Sequence, residues 1–177
     1  MNIPRAYPHI FVITGAESTG KSTLAKQLAG HFEARYFPEF ARQYIMQINR
    51  GYNFSDIEKI AGKQVEQYNE ALCHENKIVF LDTWLIITKV WFEVVYKKVP
   101  DWLGEVITNS KISSFLLCDT DIPWIPDPVR ENGGKKRQIL HEKYKKNLEL
   151  FQMNYYVVSG KGQERLQNAI KNVENHL

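Results

Sequence analysis

The stretch GAESTGKST, from Gly15 to Thr23, constrains the fold of this 177-residue chain more than any other feature. It directly follows the apolar run HIFVIT at residues 9–14, which is typical of a strand buried on both faces. From Lys21 onward, apolar residues recur four apart, as they do in a helix. A glycine-rich turn between a buried strand and a helix directs backbone N–H groups toward an anion. The pattern GxxxxGK[ST] therefore predicts a phosphate-binding loop.

Two polar side chains of this loop have expected tasks in binding ATP and Mg²⁺, whereas no role is assigned to Glu17. Lys21 is expected to reach the β- and γ-phosphates, and Ser22 is expected to hold the metal ion. The residues expected to surround the phosphates are Gly15, Ser18, Thr19, Gly20, Lys21, Ser22 and Thr23. A glycine-rich strand-to-helix turn without a ligand is the alternative.

Four further short apolar runs alternate with helical patterns along the chain. They lie at residues 34–40, 77–82, 114–119 and 155–160. Alternation of this kind predicts parallel strands joined by right-handed helical crossovers. We expect an α/β fold, a three-layer sandwich with a five-stranded parallel sheet, formed by one domain over residues 1–177. The helix after residue 54 is expected to begin with a capping box of Ser55 and Glu58.

Polar or special residues stand at the predicted carboxyl ends of all the strands. Gly15 ends the first, Glu39 follows the second, Asp82 ends the third, Asp119 ends the fourth, and Ser159–Gly160 follows the fifth. Ligands of parallel sheets bind beyond these ends. The site is therefore expected along this edge of the sheet.

Asp82 and the PEFAR stretch supply the candidate residues for the phosphoryl acceptor. Asp82 follows four apolar residues, and an acid at this position holds Mg²⁺ or takes the proton of an attacking hydroxyl. A helix N-cap is the alternative for Asp82. Glu39 and Arg42 are expected to border the acceptor, unless they form a surface ion pair with each other.

A lid is predicted at about residues 121–137. This segment contains three prolines, the pair Gly133-Gly134 and a run of basic residues, which suits a hinged, positively charged flap. Arg130 and Arg137 are expected to meet the transferring phosphoryl group. A solvated basic helix is the alternative.

Three tryptophans are candidates for stacking on a flat base. Trp84 and Trp91 are seven residues apart, so a core stripe on one helix face is the alternative for at least one of them. Trp124 stands among prolines beside the predicted site, which favours contact with a ligand or the lid.

Composition and missing motifs exclude several classes of function. The net charge of +3 lacks the strong basic excess of a nucleic-acid binder. The most apolar later stretch carries Asp82, Lys89 and Glu93, which argues against a membrane span. Two cysteines outside any CxxC pattern favour reduced thiols and a cytoplasmic location. The absence of an NKxD motif argues against a GTPase, and the compact chain argues against a mechanical ATPase.

The chain resembles the nicotinamide riboside kinase domain of the NadR family. The resemblance is carried by GAESTGKSTLAKQLA, PEFAR, IVFLDTWLIITKVWFE, LLCDTDIPWIPDPVREN and YYVVSG. It implies a P-loop kinase that converts MgATP and ribosylnicotinamide to ADP and nicotinamide mononucleotide. Asp82 would then face the ribose 5′-hydroxyl and the metal, and Ser159 would lie near adenine. Trp91 and Trp124 would be candidates for the nicotinamide pocket.

The resemblance covers one activity of that family and leaves two other functions open. NadR proteins also carry a nucleotidyltransferase domain, and no HxGH-type motif occurs in this sequence. We therefore expect a freestanding kinase domain. A kinase for another nucleoside or small metabolite is one alternative, and an ATP-binding regulatory sensor is the other.

Overall fold

A computed structural model describes residues 7–177, and five of its segments form one parallel sheet. The strands are β1 (His9–Gly15), β2 (Arg35–Phe37), β3 (Ile78–Asp82), β4 (Ser114–Cys118) and β5 (Tyr155–Val158). Their order is β2–β3–β1–β4–β5, and all neighbouring pairs are parallel. The predicted five-stranded parallel sheet is confirmed. Because the chain adds strands first on one side of β1 and then on the other, the loop after β1 opens at the switch point where ligands bind.

Seven α-helices flank this sheet in the described residues. They are α1 (Lys21–His31), α2 (Phe40–Gln47), α3 (Phe54–Leu72), α4 (Leu85–Trp91), α5 (Asp101–Thr108), α6 (Lys135–Leu150) and α7 (Gly162–Glu174). A π-helical turn, Phe92–Tyr96, continues α4. None of these helices is long and apolar enough to cross a membrane.

The alternation of side chains along β1 divides the core into two layers. Ile10 and Val12 belong to the apolar cluster that includes α3, α4, α5 and α6, whereas Phe11 and Ile13 pack with α1 and α7. All four side chains are fully buried. A continuous apolar run is required here because helices cover both faces of the strand.

The second strand is shorter than the apolar run at 34–40 suggests. Only Arg35–Phe37 pairs with β3, and Pro38 and Glu39 follow outside the sheet. Glu39 is instead the N-cap residue of α2. Because proline has no N–H to donate, the strand pairing ends before it. The turn therefore brings Glu39 to the carboxyl edge of the sheet.

The predicted capping box at Ser55 and Glu58 is wrong by two residues. Asn53 is the N-cap of α3, and its side chain accepts a hydrogen bond from the Asp56 backbone N–H at 3.1 Å. The Asp56 carboxylate accepts one from the Asn53 backbone N–H at 2.9 Å. Asp56 is fully buried, and it also binds Arg50 and Tyr44. These tertiary contacts select the earlier cap.

The predicted lid lies between β4 and α6. Residues 119–134 contain no helix or strand, and α6 begins at Lys135. The segment at 121–137 therefore joins an irregular loop to the first turn of α6. Its position beyond the carboxyl ends of β1 and β4 places it over the predicted phosphate-binding loop.

Candidate active site

The loop between β1 and α1 has the backbone conformation that its glycines predict. Gly15 has a φ of 141°, and a Cβ atom there would lie 2.8 Å from the carbonyl oxygen of Cys118. Gly20 is the N-cap of α1 with a φ of 76°. Ser18 also has a positive φ, 57°. Close approach to β4 and left-handed turns therefore require small residues at both ends of the loop.

Lys21 and Thr19 fold back onto the loop that carries them. Lys21 Nζ donates to the carbonyl oxygen of Ala16 at 2.9 Å, and Thr19 Oγ1 donates to the same oxygen at 2.8 Å. Ala16 is fully buried. The ammonium group is therefore held inside the curl of the loop, where an anion would meet it.

Asp82 lies beside this loop because β3 pairs with β1 and places Asp82 opposite Ile13. Its side chain is buried, Tyr36 donates to Oδ2 at 3.3 Å, and Oδ1 has no hydrogen-bond partner. Burial raises the pKa of Asp82, while Ser22, Lys21 and Tyr36 act in the opposite direction. A buried carboxylate oxygen without a partner is costly unless a ligand completes it.

The helix N-cap alternative for Asp82 does not apply. The N-cap of α4 is Trp84, and its side chain makes no capping hydrogen bond. Thr83, between the two, has a positive φ of 69°, and its N–H donates to the Ile13 carbonyl at 2.9 Å. The chain therefore turns sharply after Asp82 and leaves its carboxylate at the edge of the sheet.

No salt bridge joins Glu39 to Arg42 in the part of the chain that the structure describes, so the surface ion pair considered as an alternative does not apply. Burial raises the pKa of Glu39, Lys21 acts to lower it, and Asp82 adds to the increase. Arg42 donates to Asp127 of the lid at 2.9 Å. Glu39 thus faces the loop and Asp82, whereas Arg42 links α2 to the lid.

The two lid arginines occupy different positions. Arg130 forms a salt bridge with Asp127 at 2.9 Å and donates to the carbonyl of Ile125, so its guanidinium is held within the lid. Arg137 is 6% exposed and donates to the carbonyl oxygen of Ser18 at 3.0 Å. Its Nε has no partner. Arg137 therefore has free donor capacity next to the loop, and the alternative of a wholly solvated basic helix does not fit it.

The tryptophans also differ from one another. Trp84 is 1% exposed and packs against Tyr68 and Phe115, so it belongs to the core. Trp91 is half-buried and meets Tyr52 edge to face, with ring centroids 4.9 Å apart. Tyr52 in turn donates to Glu131 of the lid at 3.1 Å. An aromatic pair therefore lies under the lid.

Trp124 packs inside the lid. A Cβ atom added to Gly133 would lie 3.2 Å from its indole ring, so the ring lies directly on that glycine. Its Nε1 is buried without a partner. The ring of Trp124 is therefore held within the lid itself.

Two further residues connect the loop to its surroundings, and the sequence patterns single out neither. Glu17 accepts hydrogen bonds from the backbone and side-chain nitrogens of Asn132, both at 2.9 Å. Arg165 of α7 is buried and donates to the carbonyl oxygens of Thr19 and Gly160, both at 2.8 Å, and to Asp121. Glu17 occupies one of the variable positions of the GxxxxGK[ST] motif, so the motif gives its location but not its role. Arg165 lies in the stretch GQERLQ, which matches no motif.

Ser159 follows β5, on the other side of β1 from Asp82 at the end of β3. It is exposed, and its carbonyl oxygen accepts a hydrogen bond from Asn168 at 3.2 Å. The next residue, Gly160, donates its N–H to Asp121 at 2.6 Å. The turn after β5 is therefore fixed against the start of the lid.

The side chains near the loop fit a magnesium ion that is held mainly by phosphates. No cluster of three His, Cys, Asp or Glu residues that could hold a metal occurs within residues 7–177. Mg²⁺ usually takes one or two protein ligands together with substrate phosphates and water. The unpartnered Oδ1 of Asp82 and the nearby Ser22 meet that requirement.

A glycine loop curled around its own lysine, between a central parallel strand and a helix, is the phosphate site of P-loop proteins. This chain is therefore a P-loop protein. More particularly, it belongs to the AAA domain family, whose model matches residues 10–165.

Two relatives are NAD biosynthesis/regulator proteins. The chain is 28% identical over 126 residues to the trifunctional NAD biosynthesis/regulator protein NadR of Escherichia coli (strain K12). It has the same identity to NadR of Salmonella typhimurium. Each alignment covers 69% of this chain and 31% of the relative, so the chain spans about a third of the length of these proteins.

Solved structures give the same fold. A crystal structure of NadR in complex with NR superposes with a TM-score of 0.83 at 23% identity, covering 96% of this chain and 52% of that one. Deoxyadenosine kinase from M. mycoides superposes with a TM-score of 0.68 at 12% identity, covering 94% of this chain and 99% of that one. The chain therefore has the fold of small-molecule P-loop kinases.

Proposed function

We propose that the protein transfers the γ-phosphoryl group of ATP to the ribose 5′-hydroxyl of ribosylnicotinamide. The products would be ADP and nicotinamide mononucleotide, which makes the reaction a step of NAD salvage. The observation that carries the proposal is the unpartnered carboxylate oxygen of Asp82, buried beside Lys21 and Ser22 at the switch point of the sheet. The similarity to NadR supports ribosylnicotinamide as the acceptor.

The donor site is the loop from Gly15 to Thr23. The N–H groups of the loop and the N-terminus of α1 would bind the phosphates, and Lys21 would exchange the Ala16 carbonyl for a phosphate oxygen. Arg137 would use its unpartnered Nε to neutralise charge on the transferring group, as arginine does in related phosphoryl transfers. Adenine would lie toward the turn at Ser159.

Ser22 and Asp82 would hold Mg²⁺ together with phosphate oxygens and water. When bound, the ion would supply positive charge that offsets the negative charge developing on the phosphoryl group during transfer. Only two protein oxygens are needed, which agrees with the donor set at the loop.

Asp82 would orient the acceptor hydroxyl and receive its proton. Its oxygens have different surroundings, since Tyr36 donates to Oδ2 while Oδ1 is unpartnered. Tyr36 would hold the carboxylate in one orientation, with Oδ1 facing both the acceptor hydroxyl and the water shell of the ion.

The nucleoside would occupy the space bordered by Glu39, Arg42 and the aromatic pair under the lid. Trp91 offers a flat apolar surface, and the structure adds Tyr52 next to it. Trp124 would contribute through the lid, which carries it against Gly133. A positively charged nicotinamide ring would be attracted both to aromatic faces and to nearby carboxylates.

We place the protein in the cytoplasm, with small-molecule partners and no nucleic-acid or membrane partner.

An acceptor screen tests the proposal. The protein is incubated with MgATP and one nucleoside at a time, including ribosylnicotinamide, deoxyadenosine and thymidine, and ADP and the phosphorylated product are measured. We expect nicotinamide mononucleotide to form with the highest kcat/KM. Faster phosphorylation of another nucleoside would show that this nucleoside, and not ribosylnicotinamide, is the acceptor. Slow ATP hydrolysis that no nucleoside changes would favour a regulatory sensor.

A further inference from the structure

The lid is fastened to the phosphate loop itself. The side chain of Ser18 accepts a hydrogen bond from the N–H of Ile125 at 2.9 Å. Glu17, the preceding residue, binds Asn132 near the other end of the lid. Two consecutive residues of the loop thus hold two points of a segment that has no helix or strand of its own.

The contact between Glu17 and Asn132 is the more specific of the two. Both carboxylate oxygens are used, one on the backbone N–H and one on the side-chain amide, each at 2.9 Å. The residues are 115 positions apart, so the contact fixes tertiary structure and not local conformation. Hydrogen bonds to a charged acceptor are stronger than those between neutral groups.

The Glu17 carboxylate acts electrostatically on Glu39, which borders the proposed acceptor site. It contributes to raising the pKa of Glu39, where burial is the largest cause. It acts in the same direction on the pKa of Tyr144 of α6, which is buried. A carboxylate in a loop that binds phosphates would repel them if it faced them. The two hydrogen bonds from Asn132 direct this carboxylate toward the lid instead.

We propose that Glu17 and Asn132 form a latch, a pair of positioning residues that holds the lid over the acceptor side of the loop. The latch rests on the proposed function, because its benefit is to favour transfer to the acceptor over transfer to water. Water exclusion by a closed lid is the physical basis of that preference. The same hydrogen bonds make the position of the lid depend on the conformation of the loop.

A charge swap between the two residues tests the latch. Asn132→Asp places two carboxylates against each other, whereas the double variant Glu17→Gln with Asn132→Asp restores a complementary amide–carboxylate pair. We expect the single variant to raise the ratio of ATP hydrolysis to product formation about tenfold and to raise the KM for ribosylnicotinamide by a similar factor. The double variant should return both values to within about threefold of the original protein. Glu75→Ala, an exposed glutamate before β3, is the control and should change neither.

A second readout separates failure of the latch from failure of the proposed acceptor. Amide hydrogen exchange of residues 123–134 is measured with a non-hydrolysable ATP analogue and no nucleoside. Faster exchange in Asn132→Asp, reversed in the double variant, would support the latch whatever the acceptor is. Unchanged exchange, or a double variant as impaired as the single one, would overturn it.

Discussion

The phosphate loop and the lid face each other across the candidate site, but different interactions hold them. The loop lies between a buried strand and a helix, and Gly15 at its start meets β4 directly. The lid contains no regular structure at residues 119–134, and polar side chains such as Asp127, Asn132 and Glu131 tie it down. The loop is therefore part of the fold, whereas a few exposed or half-buried contacts determine the position of the lid. Substitutions in the loop should accordingly affect the binding of ATP, whereas substitutions in the lid should affect selectivity for the acceptor.

The largest effect is expected at the loop, from Lys21→Ala. The ammonium group is the fixed positive charge inside the curl, so its loss should weaken ATP binding and lower kcat/KM by about 10³-fold. Analogue binding by calorimetry and steady-state kinetics measure the two effects. Lys26→Ala, an exposed lysine of α1, is the matched control. Unchanged affinity for ATP would contradict the assignment of the loop.

The second effect concerns the framework between the loop and the lid. Arg165→Leu would remove the donors to Thr19, Gly160 and Asp121, leaving the buried carbonyl oxygen of Thr19 without this partner. We expect the free energy of unfolding to fall by about 2–3 kcal/mol and ATP binding to weaken as well. Urea denaturation measures the loss, and Gln167→Ala on the exposed side of α7 is the control. A loss no greater than that of the control would show that Arg165 does not support the loop.

A smaller and more selective effect is expected within the lid. Burial acts to raise the pKa of Asp127, but the N–H of Val129 together with Arg42 and Arg130 lowers it. Asp127→Ala would release both arginines, so the KM for the nucleoside should rise about tenfold. The free energy of unfolding should change little, because exposed ion pairs contribute only about 0–1 kcal/mol to stability. Nucleoside saturation curves and thermal denaturation measure the two quantities. Lys63→Ala, which breaks the exposed pair with Glu66, serves as control. Loss of stability without a change in KM would show that the lid takes no part in binding the acceptor.

The smallest effect is a pH-dependent change in stability. Because burial raises the folded-state pKa of Asp82 above its unfolded-state pKa, the charged carboxylate destabilises the free protein at pH values above the folded-state pKa. Below the unfolded-state pKa the group is protonated in both states, and this penalty disappears. Asp82→Asn should therefore raise the melting temperature at pH 7 and change it little at pH 3. Thermal denaturation at the two pH values measures the difference, and equal changes at both would mean that the charge is not the cause.

The sequence predicts the parts of the site that backbone patterns determine. The position of the loop, the five strands and the acid at the end of β3 follow from apolar runs and glycine spacing. The predicted capping box is misplaced because Asp56 takes its position from Arg50 and Tyr44, contacts that no local pattern reports. Glu17 and Arg165 escape prediction for the same reason, since their partners are 115 and 146 residues away.

The arginines of the lid illustrate the same limit. The sequence assigns one role to Arg130 and Arg137, yet the structure holds the first in the lid and buries the second beside Ser18. Composition can show that a segment is basic and hinged. Which of its charges reaches the loop depends on how α6 packs on the sheet.

The most direct test of the account is phosphoryl transfer by Asp82→Asn. Formation of nicotinamide mononucleotide is measured at saturating MgATP and ribosylnicotinamide, and affinity for a non-hydrolysable ATP analogue is measured in parallel. We predict that transfer falls by about 10³-fold, because an amide cannot accept the proton of the hydroxyl, while affinity for the analogue changes by less than about threefold. Turnover equal to that of the original protein would contradict the account.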